Sequence, residues 1–154
     1  MKPGLRSRAL ALLPALSLSL QFMTGCGSIE QQAKPVTLSA ADTRTICVIE
    51  DASVRAGFLE AYKNDLAQKG LTVRVMPGGT ALNACPLIST YEAHWKWDLA
   101  LYLAYADLKV YRNGQLAGEA LYDAKLAALN TNKFIDADNK IQELTNQLFA
   151  SQAG

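Results

Sequence analysis

The first 26 residues divide the chain into a segment that is removed and a segment that folds. Lys2, Arg6 and Arg8 make the start of the chain basic, and Ala9 to Leu20 follow as an uncharged, largely apolar run. At about twelve residues, this run lies within the roughly 7–15 of a secretory signal core and below the about 20 of a membrane-spanning helix. The segment therefore predicts export. The alternative is an uncleaved membrane anchor, which Pro14 in the middle of the run disfavours.

The end of this segment carries a second signal, because Met23, Thr24 and Gly25 lead directly into Cys26. An apolar residue, two small ones and a cysteine resemble the lipobox of bacterial lipoprotein precursors, although Met23 stands where leucine is commonest. The resemblance implies that signal peptidase II cuts before Cys26, that its thiol takes a diacylglycerol and that its amine takes a fatty acid such as palmitate. Gly27 at the next position implies, by resemblance to enterobacterial sorting, an outer-membrane lipoprotein that faces the periplasm.

Cleavage changes the charge of the chain and sets the size of the folded part. Removing the signal peptide, residues 1–25, takes away three of fifteen basic residues and leaves twelve against fourteen acidic ones, a net charge of −2. Nucleic acid binding depends on neutralising phosphates, so we expect no nucleic acid partner. Residues 26–44 are polar, contain Pro35 and show no sustained periodicity, which predicts a lipid-anchored flexible tether. Residues 45–150 are then expected to form a single globular periplasmic domain.

Two further cysteines, Cys47 and Cys85, lie in the predicted domain. An even pair in an exported protein usually forms a disulfide, and two cysteines allow only one intramolecular connection. We therefore predict a Cys47–Cys85 disulfide. The alternatives are two buried free thiols or a nucleophilic Cys85.

The first half of the domain has the pattern of a β-α-β unit. Thr45–Glu50 is a short apolar run typical of a buried strand, and Leu71–Met76 is a second one. Between them, apolar residues recur at helical spacing, and Gly70 is suited to end the helix because it tolerates positive φ. The apolar positions of this helix are Val54, Phe58, Ala61, Tyr62 and Leu66.

The second half predicts strands, a hairpin and a final helix. From Thr90 to Trp97 apolar and polar residues alternate, as in a half-buried strand, and the long run of residues 98–110 follows. Asn113-Gly114 is the favoured two-residue hairpin turn, after which Gln115–Tyr122 return antiparallel. The apolar stripe of the last helix is Ala137, Ile141, Leu144 and Leu148.

Together these elements predict an α+β fold. We expect a mostly antiparallel sheet of about five strands, in the order β-α-β, strand, long hairpin and α, with two helices packed on one face. The segments CPLISTYEAHWKWDLALYLAYADLKVYRNGQLAGEALYD and KFIDADNKIQELTNQLF are similar to a small proteobacterial lipoprotein family of unknown function, and the similarity covers most of residues 47–149. It implies an envelope location and no established activity. The order of elements also resembles periplasmic domains of the TolB amino-terminal type, an analogy of fold only.

The catalytic candidates are few. His94 is the only histidine, so one chain cannot supply a multi-histidine metal site, and the glycines after Pro77 lack the spacing and lysine of a phosphate-binding loop. On a strand, His94 and Asp98 would lie about 13 Å apart, too far for a base and its orienting partner. A Cys85–His94 nucleophile pair is excluded if Cys85 forms the disulfide. We therefore expect no catalytic, cofactor or metal residues, and an exposed His94.

Aromatic residues are the remaining feature. Tyr91, Trp95 and Trp97 fall on one face of their strand. They either pack in the core or form a candidate binding surface, because tyrosine and tryptophan combine large area with a polar group. The sequence thus favours a non-enzymatic, lipid-anchored module that binds or scaffolds an envelope protein. The alternatives are a small periplasmic thiol enzyme or hydrolase using Cys85 and His94, and a carrier of apolar ligands.

Overall fold

The computed structural model describes residues 27–39 and 42–150 and contains one mixed sheet with two helices. The strands are β1 (Glu30–Lys34), β2 (Thr45–Ile49), β3 (Thr72–Met76), β4 (Leu87–Asp98), β5 (Ala100–Arg112) and β6 (Gln115–Asp123). The helices are α1 (Ala56–Gln68) and α2 (Ala137–Leu148), and a single 3₁₀ turn (Thr131–Phe134) precedes α2. The predicted signal peptide and Cys26 lie outside the described residues.

The sheet has the strand order β1-β6-β5-β4-β2-β3. The strand β2 lies parallel to both β3 and β4, whereas β4–β5, β5–β6 and β6–β1 are antiparallel. The α+β class and the two helices are therefore confirmed. The predicted sheet of about five, mostly antiparallel strands is wrong in detail, because the described residues form six strands and two of the five pairings are parallel.

The sixth strand comes from the predicted tether. Strand β1 pairs with β6 from Glu30↔Asp123 to Lys34↔Glu119, and the amide of the buried Val36 donates to the Leu148 carbonyl at 2.8 Å. The flexible tether predicted over residues 26–44 is thus wrong for the part that forms β1 and reaches Val36. A polar segment such as EQQAK can form an edge strand because its bonds to β6 use the backbone, whatever the side chains are.

A polar contact between β1 and α2 holds this edge strand against the domain. Gln31 donates from Nε2 to Glu143 Oε1 at 2.6 Å, and the Lys140 ammonium donates to Glu143 Oε2 at 2.6 Å and to Gln31 Oε1 at 3.1 Å. The aliphatic part of Lys140 is buried, and its ammonium lies 4.7 Å from the centre of the Tyr122 ring. Burial alone would raise the pKa of Glu143, but the hydrogen bonds from Lys140 and Gln31 and the lysine charge lower it overall.

Both helices pack on the same face of the sheet, as predicted. Phe58, Tyr62 and Leu66 of α1 and Ile141, Leu144 and Leu148 of α2 belong to one continuous hydrophobic core. Alternate strand residues complete it, because side chains of a strand alternate between the two faces. These strand residues include Ile46, Val48, Tyr91, Ala93, Ala106, Leu108, Val110, Ala120 and Tyr122.

The opposite face of the sheet carries the disulfide. Cys47, which lies between the core residues Ile46 and Val48, is bonded to Cys85 in the segment before β4. Both cysteines are buried beside Ile88. The predicted disulfide is confirmed.

The two hairpins differ in how well the sequence indicates them. Asn113 and Gly114 have φ values of 50° and 82° and join β5 to β6, which confirms the predicted turn. The chain also reverses between β4 and β5 at Leu99, whose φ is 60°, inside what the sequence presents as a continuous apolar run. This second turn has no glycine or proline to indicate it.

Candidate functional site

Both catalytic candidates, Cys85 and His94, are bonded to or paired with other side chains of the domain. Cys85 is bonded to Cys47, so its sulfur provides no thiolate in this structure. His94 is exposed, as predicted; its Nε2 lies 2.8 Å from Glu92 Oε1, and its ring stacks on Tyr105 at 5.5 Å between centres. The geometry therefore brings no activated nucleophile to His94. Across residues 27–39 and 42–150, no three His, Cys, Asp or Glu side chains cluster closely enough to hold a metal ion.

An open cavity of about 380 Å³ lies where β2 and β3 end, beside Tyr91. Asp51 faces it, but its carboxylate accepts hydrogen bonds from the hydroxyl and the amide of Ser53, which lower its pKa. The Tyr91 hydroxyl accepts the Asp51 amide at 3.1 Å. The polar groups of these two residues thus organise the loop itself, and Gly78 and Gly79 lie in a turn closed by the Thr80 amide on the Pro77 carbonyl.

The three aromatic residues proposed as a binding surface have different environments. Tyr91 is only 5% exposed and stacks on Phe58 with ring centres 5.3 Å apart, so its assignment to a binding surface is wrong. Trp95 is half-buried with its ring edge-on to Phe58 at 6.2 Å, and the Arg55 guanidinium lies 5.7 Å from its ring centre. Trp97 is 74% exposed. The alternation of the strand is as predicted, but burial decreases along it, from the buried Tyr91 to the half-buried Trp95 and the exposed Trp97.

Trp97 belongs to an exposed apolar hairpin tip. It lies directly opposite Leu101 in the β4–β5 ladder, so the two side chains project from the same face of the hairpin. Leu101 is about half exposed, and Leu99, at the turn between them, is 90% exposed. The tip thus presents three large apolar side chains to solvent.

The segment between β6 and α2 adds more apolar surface at the same end. The Ala124 amide donates to the Ala104 carbonyl at 2.8 Å, so this segment runs beside the part of β5 that β6 leaves unpaired. Leu126 is largely exposed, and Leu129 is 94% exposed. We call the surface formed by Trp97, Leu99, Leu101, Leu126 and Leu129 the apolar end.

A buried lysine holds the two parts of the apolar end together. Lys133 is almost fully buried, and its ammonium donates to Asp98 Oδ2 at the hairpin tip and to the Ala128 carbonyl at 2.6 Å. The ammonium also lies at similar distances from two aromatic rings, 5.3 Å from the ring centre of Tyr102 and 5.2 Å from that of Phe134. The hairpin tip and the loop are therefore fixed relative to each other.

The described chain begins against this loop. An added Cβ at Gly27 would meet the Leu126 carbonyl oxygen, the Ala128 nitrogen at 2.8 Å and the Ala127 Cα at 3.0 Å. Only a glycine fits so close an approach of two backbones. Because Gly27 directly follows Cys26, the residue predicted to carry lipid is joined to the chain at the apolar end.

Two lysines lie at the border of the apolar end. Lys96 donates to the Lys125 carbonyl at 3.2 Å, and the Lys125 ammonium lies 4.0 Å from the centre of the Tyr105 ring and 3.0 Å from Asp123 Oδ2. Sequence reasoning found Trp97 but missed the four leucines. Leu126 and Leu129 stand in the short, alanine-rich segment AKLAALN, whose composition does not mark them as exposed, and no glycine or proline marks the turn at Leu99.

Comparison with known proteins shows similarity at the level of the fold. No protein-family model matches the chain, and no curated protein does either. Among solved structures, PelC from Paraburkholderia phytofirmans, a dodecamer, is 13% identical with a TM-score of 0.52 over 80% of this chain and all of the PelC chain. Its L103M variant is 12% identical, with a TM-score of 0.48 over 79% of this chain and 95% of its own. A minor lipoprotein from Acinetobacter baumannii is 15% identical, with a TM-score of 0.38, over 68% of this chain and 90% of its own.

At such identity the likeness to PelC concerns the fold alone. It spans the whole PelC chain. Within the part of the chain that the structure describes, no helix is both long and apolar enough to cross a bilayer.

Proposed function

We propose that this protein is a lipid-anchored module of the bacterial cell envelope, held at the outer membrane by Cys26 and facing the periplasm. The observation that carries the proposal is the sequence Met23-Thr24-Gly25-Cys26 after a basic start and an apolar run. Two or more acyl chains make an anchor stable where one is marginal, at about 0.8 kcal/mol per buried CH₂. The Cys47–Cys85 disulfide supports the proposal, because such bonds persist in oxidising compartments.

We propose further that the module binds or scaffolds an envelope protein and is not an enzyme. His94 is paired with Glu92, and Cys85 is consumed by the disulfide, so the thiol-enzyme alternative loses its nucleophile whenever that bond is formed. The PelC chain with the same fold is a dodecamer, which favours further copies of this chain among the partners to be tested.

The carrier alternative depends on space beneath the aromatic strands. That space is occupied by side chains of the core: Tyr91 lies against Phe58 at 5.3 Å and against Tyr62 at 6.3 Å between ring centres. A carrier function would therefore require the core to open, which favours binding at the surface.

Mass spectrometry of the mature protein tests the anchor. We expect an N-terminal peptide that begins at Cys26 and carries acyl chains on both the sulfur and the amine. The Cys26→Ser variant is the control and is expected to carry none. A wild-type protein that begins upstream of Cys26, or that has an unmodified Cys26, would refute the anchor.

Photo-crosslinking in intact cells tests the binding role. A crosslinking amino acid is placed at Leu116, next to the turn that joins β5 to β6, and, in a second strain, at Val75 on β3; both residues are exposed. We expect a discrete crosslinked product from at least one site, with a second copy of the chain or with another envelope protein. Only random neighbours at both sites would contradict a binding function.

Labelling of free thiols without reductant separates the enzyme alternative from the proposal. We expect Cys47 and Cys85 to remain unlabelled in protein isolated from the envelope. A Cys85 that reacts in the folded protein would favour the thiol enzyme instead.

A further inference from the structure

We propose that the apolar end rests on the membrane, with Trp97, Leu99, Leu101, Leu126 and Leu129 inserted at the lipid–water interface. This inference rests on the proposed anchor at Cys26 and adds a fixed orientation to it. The occupant of the surface is the lipid bilayer to which the chain is attached, and neither a second copy of the chain nor another protein.

The first argument is the composition of the surface. Trp97, Leu99 and Leu129 are 74%, 90% and 94% exposed, and each is a large apolar side chain. Soluble monomers scatter such residues singly, whereas a group of them at one end marks a contact with protein or membrane. The Lys133 ammonium joins Asp98 at the hairpin tip to the Ala128 carbonyl of the loop, so the two segments that carry these side chains are held together before any contact is made.

The second argument identifies the occupant. Gly27 lies against residues 126–128 of the loop, and consecutive Cα atoms are about 3.8 Å apart. Any lipid on Cys26 is therefore attached one residue from the apolar end. Because β1 is paired with β6 from Glu30 onward, only a few residues separate the lipid from the folded domain, and the chain has little freedom to turn another surface to the bilayer.

The third argument is the match between these residues and the chemistry of the interface. Tryptophan is enriched at the boundary between acyl chains and headgroups because its ring is apolar and its N–H is polar. Lys96 and Lys125 border the apolar end; the Lys125 ammonium is paired with Asp123, so Lys96 carries most of the attraction to the phosphates of lipid headgroups. A protein partner would explain the leucines but not the position of Gly27.

The orientation has a consequence for binding. The Asn113–Gly114 turn joins the other ends of β5 and β6 and would point away from the membrane. The exposed Leu116 next to this turn is then available to periplasmic partners, while the apolar end is covered by lipid.

Fluorescence quenching tests the orientation in the full, lipidated protein. Trp95→Phe leaves Trp97 as the only tryptophan, and the protein is reconstituted in vesicles of phosphatidylethanolamine and phosphatidylglycerol, with or without bromine on the acyl chains. Because interfacial segments are buried by roughly 5–10 Å, we expect bromine to reduce Trp97 emission to about half and iodide in the buffer to quench it little.

Matched variants serve as controls. Trp97→Phe leaves Trp95, which is half-buried against Phe58 and should be quenched much less by bromine than Trp97. A Leu116→Trp substitution in a chain lacking both native tryptophans reports on the opposite end and should be quenched by iodide but not by bromine. Near-ultraviolet circular dichroism verifies that each variant is folded.

The outcomes separate this inference from the proposed anchor. If Cys26 carries acyl chains but bromine does not quench Trp97, the orientation is refuted and the anchor stands; protection from iodide would then indicate a protein occupant. If Cys26 carries no acyl chains and bromine still quenches Trp97 after vesicles are added, the membrane contact stands and the anchor is refuted.

Discussion

Reduction of the Cys47–Cys85 disulfide is expected to destabilise the domain by acting on its unfolded state. The bond joins residues 38 positions apart, and the enclosed segment contains α1 and β3. In the folded protein the two sulfurs are buried beside Ile88, so we expect the cysteine side chains to move little after reduction. The native contacts therefore change little, whereas the reduced unfolded chain gains the freedom that the closed loop removed.

The size of the effect follows from the length of the loop. The chain-entropy model gives roughly 3.9 kcal/mol at 25 °C for a loop of 38 residues. With a urea dependence of about 1.5 kcal/mol per M, typical of a small domain, the unfolding midpoint should fall by about 2 to 3 M on reduction. This loss is a large fraction of the roughly 5–15 kcal/mol that stabilises most domains.

The assay compares oxidised and reduced forms of one mature chain that carries Cys26→Ser, so that Cys47 and Cys85 are its only cysteines. Urea unfolding is followed by circular dichroism with and without dithiothreitol. A Cys47→Ala/Cys85→Ala variant is the control, since reductant should leave its midpoint unchanged. Equal midpoints for the oxidised and reduced Cys26→Ser chain would refute the chain-entropy argument, as would a shift of the same size in the alanine variant.

Three further substitutions test the contacts that place the candidate surface. Gly118→Ala puts a Cβ 2.5 Å from the Val36 side chain and 2.8 Å from the Lys34 carbonyl oxygen, so we expect the free energy of unfolding in urea to fall by about 1–3 kcal/mol. Gly57→Ala is the control, since its Cβ meets nothing within 4 Å and the variant should lose no stability. Glu143→Gln should reduce the loss of folding stability at acid pH. Because the pKa of Glu143 is lower in the folded than in the unfolded chain, its carboxylate contributes stability above the unfolded pKa, and this contribution is lost as the pH falls through the folded pKa. The contribution is less than about 1 kcal/mol because the carboxylate is partly exposed. Equal pH profiles would contradict this. Asp98→Asn leaves the Lys133 ammonium without its carboxylate and should lower the free energy of unfolding by about 1–2 kcal/mol. This is less than the roughly 3–5 kcal/mol of a fully buried pair because Asp98 is 46% exposed. Adding Lys133→Met should restore part of the lost stability.

The sequence predicted those features that depend on local chemistry. The Asn113–Gly114 turn follows from the positive φ that both positions adopt, and the disulfide follows from having two cysteines in a domain that is predicted to be exported. The stripe of α2 is also local, since Ile141, Leu144 and Leu148 recur at helical spacing and all are buried. In each case the signal lies in the type, number or spacing of a few residues, and it does not depend on knowing which strands pair.

The features that the sequence did not predict depend on contacts between distant segments. Strand β1 has no alternation of apolar residues, because backbone bonds to β6 and a polar contact with α2 hold it in place. Its partners are about 90 residues away along the chain. Tyr91 and Trp97 share one face of β4, yet only Tyr91 is covered, because it packs against Phe58 and Tyr62 of α1. No periodicity in β4 encodes where that cover stops.

The docking of β1 changes what the proposed lipid anchor would do for this protein. An 18-residue tether would reach roughly 60 Å when extended and would leave the domain free to turn in any direction. Because β1 is paired with β6, only the residues before Glu30 remain as a linker, and Gly27 lies against the loop that carries Leu126. A short linker gives the apolar end a high effective concentration at the bilayer. A contact that is too weak to hold the domain by itself then becomes populated. The acyl chains would then supply the affinity, and the apolar end would supply the orientation in which the other end meets its partners.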